Sequence, residues 1–301
     1  MLLERQRILL SLLDSLGGSV TLTDFQKLLF LYTAGWVQKQ SYEFVPYKFG
    51  CFSFTSYADK RKLVEHGFLN ETTEQQDEHW ELSEAGRHEA AREKPLQERT
   101  RRFVAANTER GNALIRKVYL RYPYYATRSE ILKRVLPSAE ERQKVEAERP
   151  APHRAGLTTI GYEGRSLENY LNTLLRDSVT LLCDVRRNPL SRKYGFAKRT
   201  LSNACESVGI RYEHLPELGI ESEARQDLNT QADYDALFAK YERNSLPHQT
   251  EALKKIRNWI VKDGERVALT CYEAQPCQCH RHCVAEALER AGIPALTPKH
   301  L

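Results

Sequence analysis

The sequence has no long hydrophobic run. Its 301 residues are 41% hydrophobic and 28% charged, and no stretch approaches the roughly 18 apolar residues that a membrane-spanning helix requires. The first sixteen residues carry Glu4, Arg5 and Arg7 within their apolar pattern, whereas a secretory signal peptide has an uninterrupted apolar stretch. We therefore expect a folded cytoplasmic protein that begins with an amphipathic helix, and no membrane partner.

The chain also lacks the cysteine pattern of a disulfide framework, which belongs to much shorter, loop-rich secreted chains. Four of its seven cysteines instead crowd into thirteen residues: Cys271, Cys277, Cys279 and Cys283. Such a cluster can hold zinc through thiolates and imidazoles between Cys271 and Cys283, where His280 and His282 also lie, with Cys277, Cys279 and Cys283 as the main candidates. It can instead contain a reactive thiolate near a helix start. The paired Cys-x-x-Cys spacing of zinc ribbons is missing, so we favour cysteines without a metal and expect no cofactor.

No acidic residue interrupts the stretch from Arg186 to Arg199, which contains six basic residues. The stretch from Arg99 to Arg134 contains ten basic residues and two acidic ones. Two such stretches suit a polyanion, which predicts a nucleic acid, DNA in particular, as the partner. The alternative is two solvated faces. The expected contacts to the nucleic-acid backbone are Arg101, Arg102, Arg116, Lys117 and Arg121.

The chain divides into two parts without repeats or low-complexity tracts. Residues 1–150 show two helices, short strands, a further helix and a strand-helix segment, which is the layout of a winged helix, and then more helices. Two prolines and a loss of apolar periodicity between Val145 and Thr158 indicate a linker. In residues 151–301 strands alternate with helices, which predicts an α/β domain with a mostly parallel sheet flanked by helices.

Polar residues follow three strands of this predicted sheet, and ligands of such sheets bind beyond the carboxyl ends of the strands. Carboxylates, arginines and a helix start at one edge are typical of a phosphate-ester or nucleotide site. Asp184 or Glu273 is expected to orient a water or to stabilise a cationic sugar, and Tyr162 to stack on a base. The catalytic candidates are Asp184, Glu273, Tyr162 and His280. The candidates for binding substrate or phosphate are Arg165, Arg186, Arg187, Ser191, Cys271, Cys279 and Arg281.

Three segments in this half resemble the domain-of-unknown-function family 488: TIGYEGRSLENYLNTL, LLCDVRRNPLSRKYGFAKRTLSNACESVGIRYEHLPELG and ALTCYEAQPCQCHRHCVAEAL. They occur in the family's order between residues 157 and 301. The resemblance implies a connection to nucleic-acid transactions and bacterial conflict systems. Residues 1–90 resemble winged-helix-type domains of bacterial defence and regulatory proteins. The polar positions that the family resemblance implies are Asp184, Arg186, Pro189, Ser191, Cys271, Glu273, Cys279, His280 and Arg281.

Together these features predict a DNA-acting enzyme, hydrolytic or base-excising, that acts on modified or damaged nucleic acid in repair or phage defence. A target base within a duplex would have to leave the stack to reach the site. One alternative is a DNA-binding regulator whose α/β domain senses a nucleotide or a modified base. The other is sulfur or phosphoryl transfer through Cys271 or Cys279, which the ten-residue separation of Cys271 and Arg281 disfavours because it is too long for a compact phosphate cradle.

Overall fold

The computed structural model describes residues 2–37, 41–73, 78–225, 228–291 and 299–301. The chain forms two compact units, Met1–Arg149 and Pro150–Leu301. Among the residues described, none of the helices combines the length and the apolar character needed to cross a membrane. Each unit has its own hydrophobic core.

The N-terminal unit starts with helices and strands in alternation. In chain order these are α1 (Glu4–Ser15), β1 (Ser19–Thr21), α2 (Leu22–Gly35), β2 (Val45–Tyr47), β3 (Gly50–Phe52), α3 (Phe54–Glu65), β4 (Leu69–Thr73) and β5 (Glu78–Leu82). The strands β1, β5 and β4 form an antiparallel sheet in that order, and β2 pairs with β3 as a separate hairpin. β4 and β5 form an antiparallel pair, and β1 adds to this pair on the side of β5.

Apolar spacing explains how this unit packs. Leu9 and Leu13 of α1 lie one turn apart and are fully buried. Phe25 of α2 and Trp80 of β5 are also fully buried, and their ring centroids lie 4.5 Å apart. Gly17 follows α1 with φ of 89°, a left-handed conformation that suits glycine and ends the helix. The remaining helices of the unit are α4 (Glu84–Ala90), α5 (Lys94–Ala106), α6 (Gly111–Arg121), α7 (Leu132–Val135) and α8 (Ala139–Ala147).

The C-terminal unit is an α/β domain, as predicted. Its elements are β6 (Gly156–Gly161), α9 (Leu167–Arg176), β7 (Leu181–Asp184), α10 (Lys198–Ser207), β8 (Arg211–His214), α11 (Gln231–Asn244), α12 (Thr250–Val261), β9 (Arg266–Cys271), α13 (Arg281–Arg290) and β10 (Lys299–His300). The five strands form one sheet in the order β10-β6-β9-β7-β8, and every pairing is parallel.

The central strands consist mainly of buried apolar residues, as is typical of parallel strands covered by helices on both faces. Leu181, Leu182 and Cys183 of β7 are completely buried, as are Val267 and Leu269 of β9. Since all five strands are parallel, their carboxyl ends lie at the same edge. The loops that follow β6, β7 and β9 therefore start close together.

Candidate functional site

The carboxyl ends of β6, β9 and β7 are adjacent in the sheet. Gly161 pairs with Cys271, and Asp184 pairs with Thr270. The loop after β9 folds closely over the end of β6, since a Cβ atom at Gly161 would lie only 1.9 Å from the carbonyl oxygen of Glu273. Glycine at this position therefore permits the loop that carries Glu273 to pass over β6.

A pocket of about 310 Å³ opens at this edge of the sheet. It is lined by four arginines, Arg186, Arg187, Arg192 and Arg225. The other side chains around it include two aromatic rings, two short polar groups and a thiol. These lining residues are Tyr162, Tyr272, Asn188, Ser191, Leu190, Ile220 and Cys271. The predominance of guanidinium groups makes the pocket suited to an anion.

Asp184 is enclosed by its hydrogen bonds. Its Oδ1 accepts from the backbone N and the Nε of Arg186, at 3.1 and 2.8 Å, and its Oδ2 accepts from Arg186 Nη2 and, at 2.6 Å, from the Tyr212 hydroxyl. Asp184 is 0% exposed and Arg186 4% exposed. Arg186 also donates to the Tyr162 hydroxyl and the Phe196 carbonyl, both at 2.9 Å. Asp184 is therefore placed to hold Arg186 in position, and its expected catalytic role stays a prediction.

Tyr162 is enclosed in a similar way. Its ring stacks on Phe196 with centroids 4.3 Å apart and an interplanar angle of 8°, and the guanidinium of Arg186 lies 5.1 Å from the ring centroid. Because the residue is only 3% exposed, its ring is not available to stack on a base. Tyr272 packs edge-on against Tyr162 and is 45% exposed at the pocket. The exposed aromatic group of the site is therefore Tyr272.

Glu273 is the carboxylate that remains close to the pocket. Its Oε1 accepts a hydrogen bond from Arg225, and its Oε2 accepts one from Cys271 Sγ at 3.5 Å. Burial raises the pKa of Glu273, but the charge of Arg225 and a hydrogen bond from Cys279 outweigh burial, so that the pKa is lowered overall. The carboxylate is thus held in its ionised form by Arg225.

Cys271, Cys279 and His280 form a buried cluster at the base of this edge. One ligand atom from each residue lies within 4.8 Å of the other two. Cys271 Sγ is 3.8 Å from His280 Nδ1, and His280 Nε2 is 3.0 Å from the carbonyl oxygen of Val185. Burial raises the pKa of the Cys279 thiol well above its ordinary value, and the neighbouring Cys271 raises it further. Cys277 is exposed and Cys283 lies on α13, so neither belongs to this cluster.

Two of the predicted phosphate ligands have other contacts. Arg281 is 0% exposed, and its Nη1 and Nη2 donate to the carbonyl oxygens of Glu273 and Ala274, at 2.5 and 2.9 Å. Arg281 therefore holds the loop after β9 and is not among the residues that line the pocket, so its expected phosphate contact stays a prediction. Arg165 donates along α9 to Thr173 Oγ1 at 3.0 Å and does not line the pocket.

Four of the other predicted ligands line the pocket, namely Arg186, Arg187, Ser191 and Cys271, whereas Cys279 is not among the lining residues. Arg187 is exposed and forms an ion pair with Glu221 at 2.8 Å, and Ser191 Oγ accepts a hydrogen bond from the backbone N of Lys193 at 3.2 Å. Arg192 and Arg225 are not among the ligands predicted from the sequence. Arg192 belongs to the acid-free basic stretch, which could have indicated it. Arg225 stands in a polar segment without periodicity, and no sequence signal points to it.

The five predicted backbone ligands of the N-terminal unit divide into two groups. Arg102, Arg116 and Lys117 form ion pairs with Glu98, Glu141 and Glu109, respectively. Arg101 is exposed on α5, and Arg121, exposed at the end of α6, packs over the ring of Tyr122 at 5.4 Å. The positive charge of this stretch is therefore partly neutralised by acidic residues, two of which lie just outside it in the sequence.

Residues 166–288 match the family described as Domain of unknown function DUF488. The matched range runs from α9 into α13 and includes Asp184, Arg186, Glu273, Cys279 and the loops that carry them. The C-terminal unit therefore contains a DUF488 domain, as the sequence resemblance indicated. The chain matches no curated protein and no solved structure. The resemblance of residues 1–90 to winged-helix domains stays a prediction.

Proposed function

We propose that the C-terminal unit is a hydrolase that acts on a phosphate-bearing nucleotide unit, within a nucleic acid strand in particular. The observation that carries this proposal is the pocket with four arginines at the carboxyl edge of a parallel sheet. Arginine presents several N–H donors in a planar fork that matches the oxygens of a phosphate group. The pocket volume of about 310 Å³ lies at the lower end of the range for ligand sites and has room for one nucleotide-sized group.

The arginines differ in how free they are to bind a substrate. Arg186 and Arg225 are held by Asp184 and Glu273, which orients them and leaves part of their hydrogen-bonding capacity unused. Arg192 is exposed, and it forms no ion pair among the residues that the structure describes. We therefore assign Arg192 the first contact with a phosphate, while Arg186 and Arg225 bind at the interior of the pocket.

Two further groups supply the rest of a hydrolytic site. Glu273 is ionised and lies next to the pocket residue Cys271, so it can accept a proton from an attacking water or stabilise a cationic sugar. Tyr272 is exposed at the pocket and can stack on a base that has left the duplex. The arrangement supports hydrolysis of a bond next to a phosphate, either a phosphate ester or a glycosidic bond.

The test is to incubate the full chain with plain, modified and damaged oligonucleotides, single- and double-stranded, and to identify released bases or cut strands by mass spectrometry. Removal of one charge-assisted hydrogen bond costs about 1.5 kcal/mol or more, so Arg192→Ala should weaken oligonucleotide binding roughly tenfold. Glu273→Gln removes the counter-charge of Arg225, so it should weaken binding modestly, and at saturating substrate it should also lose turnover by about a hundredfold. Arg165→Ala is the matched control, because this arginine follows the same sheet edge but lies outside the pocket.

Equal effects of Arg192→Ala and Arg165→Ala on binding would contradict the assignment of the pocket. Binding without any product, over the whole substrate panel, would exclude hydrolysis and favour the regulator that senses a nucleotide or a modified base.

A further inference from the structure

We propose that Cys271, Cys279 and His280 bind one zinc ion, with a fourth coordination position open toward the arginine-lined pocket. Zinc bonds sulfur at about 2.3 Å and imidazole nitrogen at about 2.0 Å, so the donors of a tetrahedral site are separated by roughly 3.5–3.8 Å. The 3.8 Å between Cys271 Sγ and His280 Nδ1 matches this separation. The Cys279 sulfur lies within 4.8 Å of both atoms, so small side-chain rotations bring all three to one metal ion.

The hydrogen bond of His280 provides an independent indication of a metal ligand. The carbonyl of Val185 can only accept, so the Nε2 atom at 3.0 Å must carry the proton. In a neutral imidazole this leaves the lone pair on Nδ1, the atom that faces Cys271. Zinc-bound histidines donate their second N–H to a carbonyl or carboxylate in the same way, which fixes the tautomer and the ring orientation.

The three ligands also stand on well-anchored backbone. Cys271 is the last residue of β9, and Cys279 and His280 directly precede α13. The loop between them is held by Arg281, which donates to the carbonyl oxygens of Glu273 and Ala274. Ligands that are fixed by neighbouring packing and hydrogen bonds bind metal with little loss of conformational freedom.

The site has the composition of a catalytic zinc centre, which has three protein ligands and one position for water or substrate. Cys271 lines the pocket, and Glu273 Oε2 lies 3.5 Å from its sulfur, where it can accept a hydrogen bond from a bound water. Zinc lowers the pKa of a bound water to near neutral, so this water can serve as a nucleophile. That role rests on the proposed function. Binding of the metal does not depend on that role.

The ligand set keeps Cys279 of the main candidates from the sequence and replaces Cys277 and Cys283 by Cys271 and His280. These alternatives share only Cys279, so two cysteine pairs distinguish them. Zinc affinity of the full chain should be measured by competition with a chromophoric chelator. Mutation of a residue that only hydrogen-bonds to a zinc ligand typically lowers zinc affinity roughly 10–100-fold. Removal of a ligand itself, in Cys271→Ser or Cys279→Ser, should therefore lower zinc affinity by more than about a hundredfold. Cys277→Ser and Cys283→Ser, the matched controls, should bind zinc as the unaltered chain does.

A second measurement avoids the risk that a buried substitution unfolds the protein. Cobalt(II) added to the unaltered chain should give thiolate charge-transfer bands and the intense visible bands of tetrahedral coordination, and X-ray absorption of the zinc form should show two sulfur ligands. Absence of metal binding, or binding that requires Cys283 and not Cys271, would overturn the site. Zinc binding by a chain that hydrolyses none of the substrates would support the site and count against the proposed function alone.

Discussion

Replacement of Asp184 by asparagine tests whether this residue positions Arg186 or acts in the reaction. The carboxylate accepts three hydrogen bonds from Arg186 and one from Tyr212, and it is fully buried. An amide at this position places an NH₂ group against a donor and leaves the buried guanidinium without its counter-charge. Breaking a buried ion pair in this way costs about 3–5 kcal/mol.

For a unit of about 150 residues, 1 kcal/mol corresponds to roughly 2–4 °C, so Asp184→Asn should lower the melting temperature of the C-terminal unit by about 6–20 °C. Tyr212→Phe removes one hydrogen bond and keeps the ion pair, and should cost only about 1 kcal/mol. Glu251→Gln is the control, since this glutamate pairs with Lys254 on the surface at 84% side-chain exposure, and surface pairs contribute about 0–1 kcal/mol.

The measurement is a chemical and thermal unfolding series of the three variants, with oligonucleotide affinity and product release determined on the same preparations. A melting temperature of Asp184→Asn equal to that of the unaltered chain, together with a large loss of turnover, would refute the positioning role and restore the catalytic one.

Two further predictions concern the N-terminal unit. Burial lowers the pKa of Lys27, whose Nζ donates to the Cys51 carbonyl at 3.2 Å. The folded chain therefore holds the ammonium proton of Lys27 less tightly than the unfolded chain does. The free energy of unfolding should accordingly rise as pH increases from the lowered pKa of the folded state toward the unfolded value of about 10.4. Urea unfolding at several pH values should show that rise in the unaltered chain and a flatter profile, with higher stability at pH 7, for Lys27→Met. The double variant Arg101→Ala with Arg121→Ala should reduce the slope of log affinity against log salt by about 0.9 for each phosphate that is no longer neutralised. Arg116→Ala removes a residue already paired with a glutamate and should leave this slope unchanged. If both variants keep the slope of the unaltered chain, the whole stretch is a solvated face.

The fold of the C-terminal unit could be predicted because its signal is local and repeated. Strands such as β7 and β9 are short apolar runs, each followed by a helix with an apolar stripe, and this alternation admits few arrangements other than a parallel sheet. The strand ends therefore also predicted which loops meet. In the N-terminal unit the two helices, the β2–β3 strands, α3 and the β5–α4 segment occur in the predicted order, but β1 and β4 were not predicted. No local pattern indicates that the β2–β3 hairpin stands apart from the main sheet.

The roles of individual site residues were harder to predict. Asp184 and Glu273 both follow buried strands and precede arginines, and only the structure separates the enclosed carboxylate from the one beside the pocket. The sequence did contain a signal for the ion pair between Asp184 and Arg186. Side chains two residues apart in an extended chain point to the same side, which brings the two together. The partner of Glu273, by contrast, is 48 residues away at Arg225, and no short-range pattern encodes such an ion pair.

The hydrogen bond from His280 to the carbonyl of Val185 links the Cys271–Cys279–His280 cluster to the loop that carries Asp184 and Arg186. Val185 lies between Asp184 and Arg186 in the chain, so the backbone that orients the imidazole also orients the guanidinium. If both proposed subsites are occupied, we expect them to be coupled through this shared backbone, so that occupancy of one changes the affinity of the other by a coupling free energy. That coupling is reciprocal: if a phosphate tightens metal binding by some factor, the metal must tighten phosphate binding by the same factor.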